Sequence, residues 1–261
     1  MSRAQVSGAI GERGPRMRWR MCARWHIDLR ALIALFGVFA AGSSLAAPPV
    51  AVSPATSFAQ TDLVDVADHV PDAVFDIRYA GEDNFTGDVV DGYRAPRCYL
   101  LRPAAEALAR VADDVRAEGL RLIVYDCYRP VRAVAHFVRW TRDGSDQRTK
   151  AEYYPHLDKS QLLDGYIAET SGHSRGATID LSLLRCEGQR CEPLDMGTPF
   201  DRFDTLANTD DPRLGADPRG NRQRLLRAMA RHGFANYPME WWHYTLRPEP
   251  SPLTAYDIPI E

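Results

Sequence analysis

The sequence predicts an α+β fold, a single domain in which a mainly antiparallel sheet is flanked by helices. Three observations support this prediction. Amphipathic helical segments and alternating strand segments both occur along the chain. They do not follow the regular strand–helix–strand order that produces a parallel sheet. The 261 residues, of which 45% are hydrophobic, are enough for one globular domain with an appendage.

Periodicity and end signals place the individual elements. We expect strands over 73–80, 120–126, 176–183 and 241–247, and helices over 102–119, 131–142 and 222–233. Pro103 stands in the first turn of the first helix and Gly119 follows its last turn, as is typical of helix ends. In strand 176–183 the alternation places Asp180 on the polar face, opposite the apolar residues.

The first 47 residues are expected to be a signal peptide. Residues 1–30 contain seven arginines and two acidic residues, a net charge of +5. Since the whole chain carries −3, the remainder carries about −8. The next segment, Ala31–Ala47, is apolar, ends in small residues and is short for a membrane span. We expect cleavage after Ala46 or Ala47, a periplasmic location and no stable membrane insertion afterwards. An uncleaved anchor is the alternative.

The rest of the chain is expected to form a leader and one domain. Residues 48–61 are rich in Pro, Ala, Ser and Thr, which favours a flexible leader. No repeat or second linker follows, so residues 62–261 are interpreted as a single domain. Because the excess basic charge belongs to the targeting segment, we expect no nucleic-acid partner.

Four cysteines lie beyond the targeting segment. An even number in an oxidising compartment permits two disulfides. The short spacing in "CEGQRC" favours a loop closed by Cys186 and Cys191, which leaves Cys98 and Cys127 as the second pair by elimination. Four buried thiols are the alternative.

His173 and Asp180 form part of a candidate metal site, since a Gly-containing turn between them could fold the imidazole toward the carboxylate. A catalytic zinc usually has three protein ligands and a water. His243 is the candidate for the third, with Glu240 three residues before it. Positions i and i+3 of a regular strand face opposite sides, so a shared site requires a turn near Trp241. Otherwise Glu240 is a rim carboxylate and the aromatic residues are core packing.

Together these motifs resemble a known family. The stretches "YAGEDNFTG", "YDCYRPVRAV", "SGHSRGATIDLSL", "MGTPFD" and "EWWHY" occur in the order and spacing seen in the zinc-dependent D-alanyl-D-alanine dipeptidases, the VanX-like group. The similarity runs from about Asp76 to the C-terminus. It implies a small α+β zinc peptidase fold and a function in hydrolysing the dipeptide D-Ala-D-Ala.

The resemblance also implies a role for each site residue. One zinc ion per chain would be held by His173, Asp180 and His243. The catalytic pair would be Glu240, the general base that takes a proton from a metal-activated water, and Arg129, which stabilises the oxyanion. The dipeptide would be held by Tyr79, Ser171 and Asp201, with Asp201 taking its free ammonium. Two positions depart from the family pattern, Gly172 and Cys127.

Two other functions stay open on the sequence alone. One is a D-alanyl-D-alanine carboxypeptidase that trims peptidoglycan stem peptides, which requires an open groove. The other is a non-enzymatic zinc module that binds cell wall, which does not need Glu240 or Arg129. The paired Trp241 and Trp242 together with Asp201 favour a closed pocket. For Arg129, a structural salt bridge with Asp126 is the alternative role.

Overall fold

The computed structural model of the chain describes residues 49–188 and 190–261. The predicted signal peptide and its cleavage point lie outside these residues. Among the helices of the described part, none combines the length and the apolar character needed to cross a membrane.

The described residues form strands and helices in mixed order, as the α+β prediction requires. The strands are β1 (Ala51–Val52), β2 (Leu63–Asp65), β3 (Val74–Phe75), β4 (Tyr99–Leu101), β5 (Leu120–Asp126), β6 (Thr178–Glu187), β7 (Arg190–Pro193), β8 (Phe234–Asn236), β9 (His243–Leu246) and β10 (Thr254–Ala255). The helices are α1 (Arg102–Ala117), α2 (Val131–Arg142), α3 (Lys150–Tyr153) and α4 (Ala216–Arg231).

The central six-stranded sheet has the order β3-β5-β6-β9-β8, with β7 added to the end of β6. Only β3 on β5 is parallel, and the other pairs of this sheet are antiparallel. The predicted α+β fold with a mainly antiparallel sheet is therefore confirmed. Helix α1 packs its buried face, which includes Leu108, Val111 and Val115, against β5 and α4.

Strand β6 differs from the prediction in the environment of its polar face. Thr178, Asp180 and Ser182 alternate with apolar residues, yet all three are buried. β6 lies between β5 and β9 in the sheet, and residues on both of its faces are buried from Thr178 to Leu184. Asp180 is therefore a carboxylate in the interior, and such a group requires a partner of opposite charge or a metal.

Two other elements have different bounds from those predicted. The strand expected over 73–80 is limited to β3, because the chain turns at Arg78–Ala80 and carries Tyr79 into the interior. Helix α4 begins at Ala216 rather than 222, after Gly215 and with Asp217 and a proline in its first turn. Asp in the first turn and Pro at the start are favourable helix signals that the apolar pattern alone missed.

The segment expected to be a flexible leader packs against the domain instead. β1 pairs in parallel with β10, with Ala51 opposite Thr254. Phe58 stacks on Tyr99 with 3.8 Å between the ring centroids. The composition of 48–61 did not reveal this, because its few apolar side chains and its backbone find partners only in the folded domain.

Both cysteine pairs predicted from the sequence are joined in the structure. Cys98 is bonded to Cys127 and Cys186 to Cys191, with Cα–Cα distances of 5.4 and 4.1 Å. The first disulfide is buried and the second closes the β6–β7 hairpin.

Candidate active site and metal centre

The three predicted metal ligands come together where β6 and β9 lie side by side. His173 opens a short 3₁₀ turn that ends at Gly176, in the left-handed conformation with φ of 73°, just before β6. Asp180 pairs directly with His243 across the two strands. Asp180 Oδ1 is 3.4 Å from His173 Nε2 and 3.0 Å from His243 Nδ1. All three ligand atoms lie within 4.8 Å of one another.

The chemistry of these atoms fits a metal ion. Asp180 Oδ1 is buried and accepts no hydrogen bond from any described residue. His173 Nδ1 lies 2.7 Å from the Cys127 carbonyl, which can only accept, so Nδ1 carries the proton and the Nε2 lone pair faces His243 Nδ1 at 3.3 Å. Burial by itself would raise the pKa of Asp180, but the adjacent imidazoles lower it well below its usual range. An ionised carboxylate and a correctly oriented imidazole are what zinc binding needs.

Glu240 reaches this centre through a turn between β8 and β9. Tyr237 N donates to the His243 carbonyl at 2.9 Å, and Glu240 N donates to the Tyr237 carbonyl at 3.0 Å. The chain thus bends at the position where a shared site requires it, and Glu240 Oε2 lies 3.5 Å from His243 Nδ1. Burial, with the nearby charge of Asp180, raises the pKa of Glu240 well above its ordinary value.

The two tryptophans that follow Glu240 are buried and hold this turn in place. Trp241 Nε1 donates to Thr198 Oγ1 at 2.8 Å. Trp242 packs edge-on against Phe200, and its carbonyl accepts from Leu181 N of β6. Core packing and a role for Glu240 at the site are therefore compatible, because the packed rings position the carboxylate.

Arg129 follows the end of β5 and points into the same space. Its Nε and Nη2 bind Asp126 Oδ2 at 2.9 and 2.8 Å, and Nη2 lies 3.6 Å from Asp180 Oδ2. Its guanidinium also lies over the rings of Tyr79 and Phe137. The salt bridge with Asp126 therefore exists, and it fixes the direction of Arg129 instead of removing it from the site.

Asp126 is a site residue that the sequence assigned only to a salt bridge. Its side chain is fully buried, its Oδ1 accepts from Tyr93 OH at 2.6 Å, and its Oδ2 is 3.4 Å from His173 Nδ1. It therefore contacts both Arg129 and a predicted metal ligand. The sequence feature that could have identified Asp126 is its position at the end of a buried strand, three residues before Arg129.

The three residues predicted to hold the dipeptide line the same cavity as the metal ligands. Tyr79 OH donates to Asp201 Oδ2 at 2.8 Å, across 122 residues of sequence. Asp201 has a positive φ of 59°, and burial, with the charge of Asp180, raises its pKa well above the ordinary value. Ser171 Oγ accepts from the backbone N–H of His173 at 3.2 Å.

Gly172 is explained by its surroundings. A Cβ at this position would lie 2.8 Å from Thr178 Oγ1, which is hydrogen-bonded to Thr245 Oγ1. Such a distance is too short without movement of the threonine pair beneath the His173 turn. A side chain at this position is thus incompatible with the threonine that this chain carries at 178.

All eight predicted site residues line one cavity of about 220 Å³. Apolar walls are supplied by Phe85, Val134, Phe137 and Phe203. The cavity is also lined by Tyr166, Ile167 and Tyr237, which the sequence did not single out. Tyr237 OH donates to the Gly165 carbonyl at 2.9 Å, and this bond joins the 165–172 wall to the Glu240 turn. Nothing in the residue pattern marked these positions, because their role depends on the closure of the cavity.

Comparison with known proteins agrees with this geometry. A family model described as D-ala-D-ala dipeptidase matches residues 59–260. A D-alanyl-D-alanine dipeptidase of Streptomyces coelicolor is 43% identical over 187 residues, which are 71% of this chain and 92% of the relative. Its counterpart in Enterococcus faecium is 38% identical over 72% of this chain and 92% of the relative. A D-alanyl-D-alanine dipeptidase of Escherichia coli is 34% identical over 71% and 85%. The chain belongs to the D-ala-D-ala dipeptidase family.

Proposed function

We propose that this protein is a zinc-dependent peptidase that hydrolyses the dipeptide D-Ala-D-Ala. The observation that carries the proposal is the convergence of two histidines, one aspartate, Glu240 and Arg129 in one small cavity. The relatives named D-alanyl-D-alanine dipeptidase support the substrate. The metal would be held by His173 Nε2, Asp180 Oδ1 and His243 Nδ1.

Each residue of the cavity has a chemical role in this proposal. A zinc ion at this position supplies a polarised water at neutral pH and an electrophile for the scissile carbonyl. Glu240 accepts the proton of the attacking water and later donates it to the leaving amine. Its burial favours proton uptake, which suits a general base. Arg129, held by Asp126, opposes the negative charge that develops on the carbonyl oxygen.

The residues assigned to the dipeptide determine which substrate fits the cavity. Asp201 presents a carboxylate oriented by Tyr79 OH, and we assign it to the free ammonium of the dipeptide. Ser171 offers a hydroxyl to the backbone of the dipeptide. The cavity of about 220 Å³ is smaller than the range of about 300–1,000 Å³ typical of drug-sized ligands. An ammonium anchor in a small cavity favours a free dipeptide over a longer stem peptide.

A direct assay tests this proposal. Purified protein lacking residues 1–47 is incubated with D-Ala-D-Ala and, separately, with an N-acylated tripeptide that ends in D-Ala-D-Ala. We expect much faster hydrolysis of the dipeptide than of the tripeptide, loss of activity after chelation and its return with zinc. Equal cleavage of both substrates would favour the carboxypeptidase. Bound zinc without cleavage of either would favour the non-enzymatic module.

We also propose that the protein is exported and acts in the periplasm. The arginine-rich start and the apolar segment Ala31–Ala47 support this, as do two disulfide pairs in one domain. Cell fractionation with N-terminal sequencing of the mature chain tests it. A protein that stays in the cytoplasm with its first residues intact would contradict it.

A further inference from the structure

The Cys98–Cys127 disulfide lies directly behind the candidate metal centre. Cys127 stands between Asp126 and Tyr128, which are both buried, and Arg129 follows two residues after it. Its own carbonyl accepts the hydrogen bond of His173 Nδ1, so that Nε2 is the ring nitrogen that faces His243 and the candidate metal position. A single peptide unit next to the disulfide therefore controls the orientation of a predicted metal ligand.

The other half of the disulfide is attached to β4, which also holds the His173 turn. Cys98 precedes β4, and the carbonyl of Tyr99 accepts from Tyr128 N at 2.9 Å. Leu101 N donates to the carbonyl of Gly176, the residue that ends the His173 turn, at 2.7 Å. Thus β4 contacts the segment that carries Arg129 and also the turn that carries His173. The disulfide adds a covalent link between the start of β4 and the Arg129 segment.

We infer that the Cys98–Cys127 disulfide is a positioning element of the metal site. It fixes the Cys127 carbonyl, which fixes the tautomer and ring direction of His173, and it fixes the start of the segment that aims Arg129. Groups that orient a metal ligand typically change metal affinity or activity by about 10–100-fold when they are removed. The inference rests on the proposed zinc peptidase function and identifies an additional part of its site.

The inference also connects the site with export. Disulfides form and persist in oxidising compartments. Cys98 and Cys127 are both buried, so the bond is protected in the folded chain. The metal site of this chain would then reach its final rigidity only after oxidation of this pair.

The second disulfide is a matched control within the same chain. Cys186–Cys191 closes the β6–β7 hairpin, whereas Cys127 of the inner disulfide supplies the carbonyl that His173 Nδ1 contacts. If a disulfide acted only through general stabilisation, both pairs would affect the site alike. If the effect depends on where the disulfide lies, only Cys98–Cys127 should affect the metal site.

The test compares two double variants with the wild type. Cys98→Val with Cys127→Ala removes the inner disulfide while keeping buried apolar side chains, and Cys186→Ser with Cys191→Ser removes the outer one. Zinc affinity is measured by chelator competition, and the visible spectrum of the cobalt-loaded protein reports the ligand geometry. For the inner variant we expect a zinc Kd raised about 10–100-fold, an altered cobalt spectrum, and a kcat reduced more than KM is changed. The outer variant should match the wild type in all three.

Other outcomes would overturn the inference. Unchanged zinc affinity and cobalt spectrum in a folded inner variant would show that the bond does not position His173. Cys98→Ala with Cys127→Ala serves as a second inner variant. If neither inner variant folds where the outer one does, the bond supports the whole domain and the inference is wrong. Failure of the wild type to cleave D-Ala-D-Ala would count against the proposed function, whereas an inner variant as active as a functional wild type would count against the inference alone.

Discussion

The two ends of strand β6 have very different surroundings. Its first seven residues, from Thr178 to Leu184, are buried, and Asp180 among them lies between two imidazoles. Its last residues, Arg185–Glu187, are exposed or half-buried and lead through Gly188 into β7. A single strand therefore runs from the candidate metal centre to a solvent-exposed hairpin within ten residues.

Charged groups at the two ends should consequently contribute in different ways. At the hairpin, Glu192 pairs with Arg190 at 3.0 Å in solvent, where such a pair contributes about 0–1 kcal/mol. At the buried end, Asp180 Oδ1 accepts no hydrogen bond from a described residue and faces His173 and His243. The environment supplied by neighbouring strands, and not the residue type, separates a surface carboxylate from a candidate metal ligand. Substitutions along and around β6 test whether the surroundings of a residue determine its contribution.

The largest effect is expected at Asp180. Asp180→Ala removes one of three ligands and should abolish both zinc binding and hydrolysis. Elemental analysis and the dipeptide assay measure these directly. Glu187→Ala at the other end of β6 is the control, with a change in stability within about 0.5 kcal/mol and normal activity. Retention of zinc by Asp180→Ala would remove this residue from the ligand set.

Glu240→Ala should separate proton transfer from metal binding. The variant is expected to keep its zinc, because Glu240 is assigned to the water proton and not to the metal. Its kcat should fall by about 10²–10⁴-fold, the usual contribution of a positioned acid–base group. Glu192→Ala in the hairpin is the matched control. Loss of zinc from the Glu240 variant would instead identify Glu240 as a ligand.

Arg129→Ala should lower kcat by about 10²–10³-fold while the zinc content stays unchanged, since the guanidinium acts on charge that develops at the transition state. Thermal unfolding should also show lower stability, because Asp126 would stay buried without its cation. Arg190→Ala, which breaks an exposed pair, should change neither. If the Arg129 variant is destabilised but keeps a normal kcat, Arg129 has only a structural role in its salt bridge with Asp126.

Asp201→Asn tests the ammonium anchor with little disturbance of the backbone. Asparagine tolerates the positive φ at this position better than alanine does, and its side-chain oxygen can still accept from Tyr79 OH. Loss of a charged hydrogen bond of about 1.5–3 kcal/mol should reduce kcat/KM for the free dipeptide by about 10–100-fold. Cleavage of an N-acylated substrate, however slow, should be unaffected. Equal losses on both substrates would rule out an ammonium contact.

The smallest effect on function is expected at the hairpin. Cys186→Ser with Cys191→Ser should lower the free energy of unfolding by about 2 kcal/mol, which is the chain-entropy value for so short a loop. Denaturant titration measures this change. Kinetic constants should stay at the wild-type values. If activity falls by more than the loss of folded protein explains, the hairpin end of β6 influences the site at its other end.

Local sequence signals predicted much of this fold because they act within a few residues. Helix α1 ends two residues before the predicted limit, and strand β5 and helix α2 have the predicted bounds. Each has its own apolar period together with a proline or glycine at an end. The motifs that resemble a known family likewise named eight of the residues that line the cavity.

Tertiary structure decided the features that depend on partners far along the chain. The strand predicted over 73–80 ends early, because the chain turns and Tyr79 OH donates to Asp201. Residues 51–52 form a strand because they pair with β10. Asp126 became a site residue only when β5 placed it beside the His173 turn. Residue types and their spacing determined which chemistry this protein can perform. Burial, strand pairing and long-range hydrogen bonds decided which atoms face one another, because these depend on packing that no local pattern contains.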